Sequence, residues 1–132
     1  MKLIADTNVL VRVLVQDDPA QAQMAQSALA AAELIAIPLP VLCELCWVLK
    51  GSYNVDRAEI AVAVRTLVAS SKVVADHAAI ESGLDLLEAG GDFADGVIAH
   101  GGASLGGDTL LTFDAKAANL LEAQGRTVSL LA

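Results

Sequence analysis

Aromatic side chains are almost missing: one Trp, one Tyr and two Phe make up 3% of the 132 residues. A core must therefore be assembled from Leu, Val, Ile and Ala, and base stacking cannot be a large term over a broad nucleic-acid surface. Only 8 Lys and Arg stand against 16 Asp and Glu, a formal net charge of −8. The basic footprint of a protein that coats nucleic acid is absent, although a nuclease whose carboxylates hold metal ions is not excluded. Two cysteines, Cys43 and Cys46, are too few for a disulfide framework. Their C-E-L-C spacing matches a redox pattern formally, but the flanks Val41-Leu42 and Trp47-Val48-Leu49 are those of an apolar helix, so core packing is the expected role. With 55% apolar and 18% charged residues, disorder is excluded. Pro38, Pro40 and Glu44 interrupt the longest apolar stretch well short of the ~20 residues a bilayer needs. Asp6 follows Met1–Ala5 before a secretion signal can form, so a soluble cytoplasmic protein is expected.

Short apolar runs alternate with amphipathic ones. Strands are expected at Lys2–Ala5, Leu34–Ile37, Val73–Ala75, Thr109–Thr112 and Thr127–Leu131. Helices are expected over Val9–Val15, over Ala20–Ala32 behind the start signal Asp17-Asp18-Pro19, and over Val41–Lys50 up to Gly51. Further helices are expected over Asp56–Ser70, from Asp76 to Gly90-Gly91, behind Asp92, and over Ala115–Ala123 up to Gly125. Strands alternating with helices imply a parallel sheet covered on both faces, an α/β three-layer sandwich forming one domain over residues 1–132. Gly101, Gly102, Gly106 and Gly107 make 100–107 a poor helix, at roughly 1 kcal/mol per interior glycine, so the helix behind Asp92 is expected to end early or be loose.

Two acids fall where open α/β sheets place their sites, just past strand C-termini: Asp6, in Asp6-Thr7-Asn8, and Asp114, in Thr112-Phe113-Asp114. Glu44 and Asp95 lie inside apolar helical segments, where a charge is costly unless paired or bound to metal, and neither has Lys or Arg at helical i±3 or i±4 spacing. If the four converge, adjacent carboxylates at ~4 Å repel by about 4 kcal/mol at an effective dielectric of 20, a penalty a divalent cation removes. All-oxygen ligation selects Mg²⁺ or Mn²⁺ over Zn²⁺. The local alternative makes Asp6 an Asx turn, Asp114 a helix cap, and Asp95 and Glu44 solvent-facing residues. Taken singly, each acid fits that alternative better; spacing alone leaves the set of four near even.

The same residues resemble a known family. Leu3-Ile4-Ala5-Asp6-Thr7-Asn8-Val9-Leu10, the block from Ile37 to Leu49 around Glu44, Phe93-Ala94-Asp95-Gly96-Val97-Ile98-Ala99, and Leu111-Thr112-Phe113-Asp114 are similar, in order, to the four blocks of PIN domains. Within these the chain looks like the toxin ribonuclease of VapBC-type toxin–antitoxin pairs. The resemblance implies a PIN-like α/β/α sandwich with a central parallel sheet and an acidic pocket binding Mg²⁺ or Mn²⁺. It also implies endoribonuclease activity, a VapB-type antitoxin as partner, and a homodimer. Asp6, Glu44, Asp95 and Asp114 carry over as catalytic, metal-holding acids, with Asn8 and Thr112 as polar supports that orient ligands or water.

Arg12, Lys50, Arg57, Arg65, Lys72 and Lys116 are candidates to flank an RNA groove or to be solvated surface charges. Trp47 stands three residues from Glu44; packing is its expected role, as for Tyr53, Phe93 and Phe113, with a place on the pocket wall the alternative. Asp92 is expected to cap its helix. A phosphatase of the haloacid-dehalogenase type would want a second acid where Asn8 stands. The main alternative is a catalytically weak PIN-like interaction module that holds a partner through the apolar stretch Val9–Val15.

Overall fold

Asp18 and Pro19 start the second helix as their chemistry dictates: the Asp18 side chain accepts the Gln21 N–H at 3.1 Å, and proline fills the first helical position, where an N–H has no partner. In a computed structural model describing all of residues 1–132, such signals punctuate twelve elements. They are β1 (Lys2–Ile4), α1 (Thr7–Val15), α2 (Pro19–Ala31), β2 (Leu34–Ala36), α3 (Leu39–Gly51), α4 (Arg57–Val68) and β3 (Val73–Val74), then α5 (His77–Glu88), α6 (Phe93–Ser104), β4 (Thr109–Thr112), α7 (Ala115–Ala123) and β5 (Thr127–Leu130). All five expected strands and every expected helix are present, with ends shifted by a residue or two.

Every strand pairing is parallel, as the alternation predicts. Hydrogen bonding divides the strands into two sheets, a three-stranded one in the order β1-β2-β3 and a two-stranded one of β4 and β5. The chain correspondingly forms two compact units, Met1–Asp76 and His77–Ala132. In the first, Leu3 stands beside Ile35 and Ile35 beside Val73, and Leu10, Leu42, Leu45, Ile60 and Val64 are fully buried. In the second, Thr109 pairs with Thr127 and Thr112 with Leu130. Leu86, Ala99 and Leu121 form its buried cluster, with Leu110, Leu120 and Val128 packed against them. Aliphatic side chains thus supply both interiors, and Phe93, 1% exposed, is the one buried aromatic.

Helix α6 departs from expectation. It runs through Gly101 and Gly102 to Ser104 instead of ending early. The closure is made just beyond: Gly106 adopts φ +104, its N–H donates to the Ala103 carbonyl at 3.0 Å, and the Gly107 N–H reaches back to the Gly102 carbonyl at 2.9 Å. A left-handed glycine after the last turn satisfies carbonyls that would otherwise be orphaned, which offsets the glycines inside the helix.

Gly96 fixes where α6 lies. A Cβ there would fall onto the Ser82 carbonyl oxygen of α5 and 2.8 Å from the Gly83 Cα, so the two helices touch backbone to backbone. Asp95, the preceding residue, is thereby carried on a helix packed tightly against α5. Gly96→Ala is expected to cost about 1–3 kcal/mol through overpacking, read as a lowered urea midpoint; an unchanged midpoint would contradict the close contact.

Candidate active site

Asp6 lies two residues past β1 and serves as N-cap of α1: its backbone is extended, and Oδ1 accepts the Thr7 N–H at 2.8 Å. Asp114 repeats the arrangement beyond β4. Its Oδ1 accepts the Ala117 N–H of α7 at 3.0 Å, while its own N–H donates to Thr112 Oγ1 at 3.0 Å. Both acids are exposed. Each therefore does fill a local capping role, but with one carboxylate oxygen only. Thr112 Oγ1 bonds the Asp114 backbone and not its carboxylate, and Asn8 is exposed in the first turn of α1.

Asp95 is the distinctive acid. It sits half-buried in the first turn of α6. Burial pushes its pKa above the ordinary 3.8, and the neighbouring charges of Asp92 and Asp114 push it the same way. Asp92 occupies the N-cap position of α6 by backbone geometry, but its side chain makes no capping bond. The expected cap position is therefore met by the backbone alone, and the Asp92 charge bears on Asp95. The only sequence signal for this was its place three residues before Asp95 on the same helix face.

Glu44 also departs from expectation. On α3, Leu42, Leu45, Cys46 and Leu49 are buried while Pro40, Glu44, Trp47 and Lys50 are exposed. Glu44 therefore lies on the solvent stripe, and the cost of a buried charge applies to Asp95, not to it. Within neither unit do three or more His, Cys, Asp or Glu side chains stand close enough to hold a metal ion. The structure brings Asp92 and Asp114 each into electrostatic reach of Asp95 in the second unit, and carries Asp6 and Glu44 in the first.

Several other expectations resolve here. Cys46 is buried and its thiol is pushed up to about 12, chiefly by burial and also by Cys43, so it does not ionise near neutrality and has no thiolate for redox chemistry. Arg12 is engaged by Asp17 at 2.9 Å and by Gln21 at 2.7 Å, and Lys72 donates to the Ala30 carbonyl, so these two cations serve the scaffold. Trp47 and Phe113 are not core residues: they are 74% and 75% exposed. In the stretch Val9–Val15, Leu10 and Val11 are buried and the other side chains are half-buried, so none stands fully exposed.

The PIN domain family model matches residues 3–121, a span that takes in all four acids. The chain belongs to the PIN domain family, a nuclease-type fold whose members typically use divalent metals. No curated protein matches it closely enough to count as a relative. No helix is long and apolar enough to cross a membrane.

The raised pKa of Asp95 carries a sign. The folded state holds this proton more tightly than the unfolded chain does, so stability falls as pH rises from about 3.8 through the folded pKa, and the deficit is complete above it. In EDTA, Asp95→Asn is expected to melt above the wild type at pH 7, with the gap narrowing as the pH is lowered toward 4. A variant that melts lower at pH 7, or a gap independent of pH, would contradict this environment for Asp95.

Proposed function

We propose that the chain is a metal-dependent endoribonuclease, the toxin of a VapBC-type toxin–antitoxin pair, acting in the cytoplasm as a homodimer and neutralised by a VapB-type antitoxin. The single observation that carries the nuclease reading is Asp95: a half-buried carboxylate with two more beside it and no cation countering them, on a helix locked in place by Gly96. Such a group is relieved by protonation or by a hard cation, and an all-oxygen donor set suits Mg²⁺ or Mn²⁺.

Asp6, Glu44, Asp95 and Asp114 are the proposed holding acids, Asp6 and Asp95 directly and the other two directly or through water. Thr112 keeps Asp114 oriented, and Asn8 is placed to position a water. A bound divalent ion would supply charge neutralisation at the scissile phosphate and lower the pKa of the attacking water. The reaction is hydrolysis: water oxygen bonds to phosphorus in line, the P–O bond opposite breaks, and the leaving oxygen takes up a proton. No side-chain nucleophile is called for.

Charge distribution supports the same reading. The second unit has only Lys116 and Arg126 against eight carboxylates, a net −6, whereas the first has six of the eight Lys and Arg and a net −2. A phosphodiester brought to Asp95 is repelled unless a cation lies between them. The second reading, a PIN-like module that only holds a partner, is favoured by the absence of a three-acid group within either unit; it requires no metal binding.

The test is cleavage of tRNA and rRNA by antitoxin-free protein with Mn²⁺ or EDTA. Asp6→Asn preserves a capping side chain, so it separates chemistry from the stability of α1. Asp6→Asn and Asp95→Asn are each expected to lower cleavage by about 100-fold or more, the scale of losing several kcal/mol of transition-state stabilisation. Full activity in either variant, or undiminished cleavage in EDTA, would refute the assignment.

A further inference from the structure

Helix α3 carries the sole tryptophan where a core would not put it. Trp47 is 74% exposed, although burying an indole removes on the order of 200 Å² from water. Its neighbours Leu45, Cys46 and Leu49 are buried, so α3 is well packed and Trp47 faces away from its packed side. Along the exposed stripe, Glu44, Trp47 and Lys50 follow one another at i→i+3 spacing, which sets an acid, an indole and an ammonium side by side. Side chains on a helix lean toward its N-terminus, which carries the indole toward the turn that holds Glu44. One turn beyond Trp47, a Cβ added at Gly51 would meet nothing within 4 Å, so no side chain crowds that flank. Lys50 is exposed and forms no ion pair.

We propose that Trp47 is a stacking platform for one base of an RNA substrate, one helical turn from Glu44, with Lys50 contacting the adjoining phosphate. This rests on the ribonuclease reading above and deepens it. A base offers an apolar π-face joined to an anionic linkage, and the indole beside an unpaired ammonium complements both parts. Stacking accepts any base, so the contribution is to affinity and to the placement of the strand, not to the choice of sequence. An apolar protein partner would engage the indole with no need of Lys50.

Because Trp47 is the only tryptophan, its fluorescence reports on this position alone. The intact protein is titrated with Ca²⁺ in place of Mg²⁺ or Mn²⁺, using oligouridylate and an abasic ribose-phosphate chain of equal length, and affinity is followed separately with a labelled oligonucleotide. Quenching by the base-bearing chain and not by the abasic one is expected. Trp47→Ala should bind about 5- to 150-fold more weakly, with Trp47→Phe close to wild type. No quenching, equal quenching by the abasic chain, or unchanged affinity of Trp47→Ala would overturn the proposal. Metal-dependent cleavage by the same wild-type preparation separates the two ideas. Cleavage without quenching removes the stacking role alone, and base-specific quenching without cleavage removes the nuclease while leaving Trp47 an RNA contact.

Discussion

Asp92 and Asp95 share the start of helix α6, Asp114 at the start of α7 adds a third charge, and the half-buried Asp95 has no cation to answer it. Asp95 is pressed toward its neutral form by burial and by Asp92 and Asp114. A surface loop would swing such a group into water. Asp95 has no such freedom, because Gly96 seats α6 directly on the α5 backbone and the helix is closed at its far end by Gly106 and Gly107. Packing in the second unit therefore holds Asp95 where its charged form is disfavoured, and stability depends on pH through this side chain.

The four acids prepared by the sequence are built in two different ways. Asp6 and Asp114 are helix caps that follow strands, each anchored through one oxygen to backbone amides and exposed at the other. Capping makes their placement rigid without closing them to a ligand. Glu44 is anchored only by the helix that carries it, on a stripe shared with Trp47 and Lys50. The apolar side of α3 is sealed by Leu42, Leu45 and Leu49, which leaves this stripe exposed to solvent. Six of the eight Lys and Arg lie in the first unit, and the acidic excess lies in the second.

Much of the element order could be read from the sequence, because Asp18-Pro19 and the glycines at 90 and 125 mark helix ends by local chemistry. Other features are decided by tertiary contact and left little local trace. The division of five parallel strands into sheets of three and two depends on backbone pairing among segments only two to four residues long. The persistence of α6 through Gly101 and Gly102 depends on a closure formed outside the helix. At the site, Asp6 and Asp114 were visible because strand ends announce them, and Asp95 because a lone acid in an apolar segment is costly. Glu44 looked the same, but α3 is buried along one stripe only, and Glu44 falls on the other. Trp47 and Phe113 were misjudged for a related reason: scarcity of aromatics suggests the core, whereas Phe93 alone is used there.

Mn²⁺ added in substoichiometric steps to isotope-labelled, chelator-treated protein broadens the amide resonances nearest to it, and so locates the cation without any substrate. Loss of the signals of Asp6, Glu44, Asp95 and Asp114 together, and their survival in Asp95→Asn, is the expected result. Broadening confined to Asp95 and Asp114 with Asp6 and Glu44 untouched, or none at all, would contradict a single metal centre held by these four carboxylates.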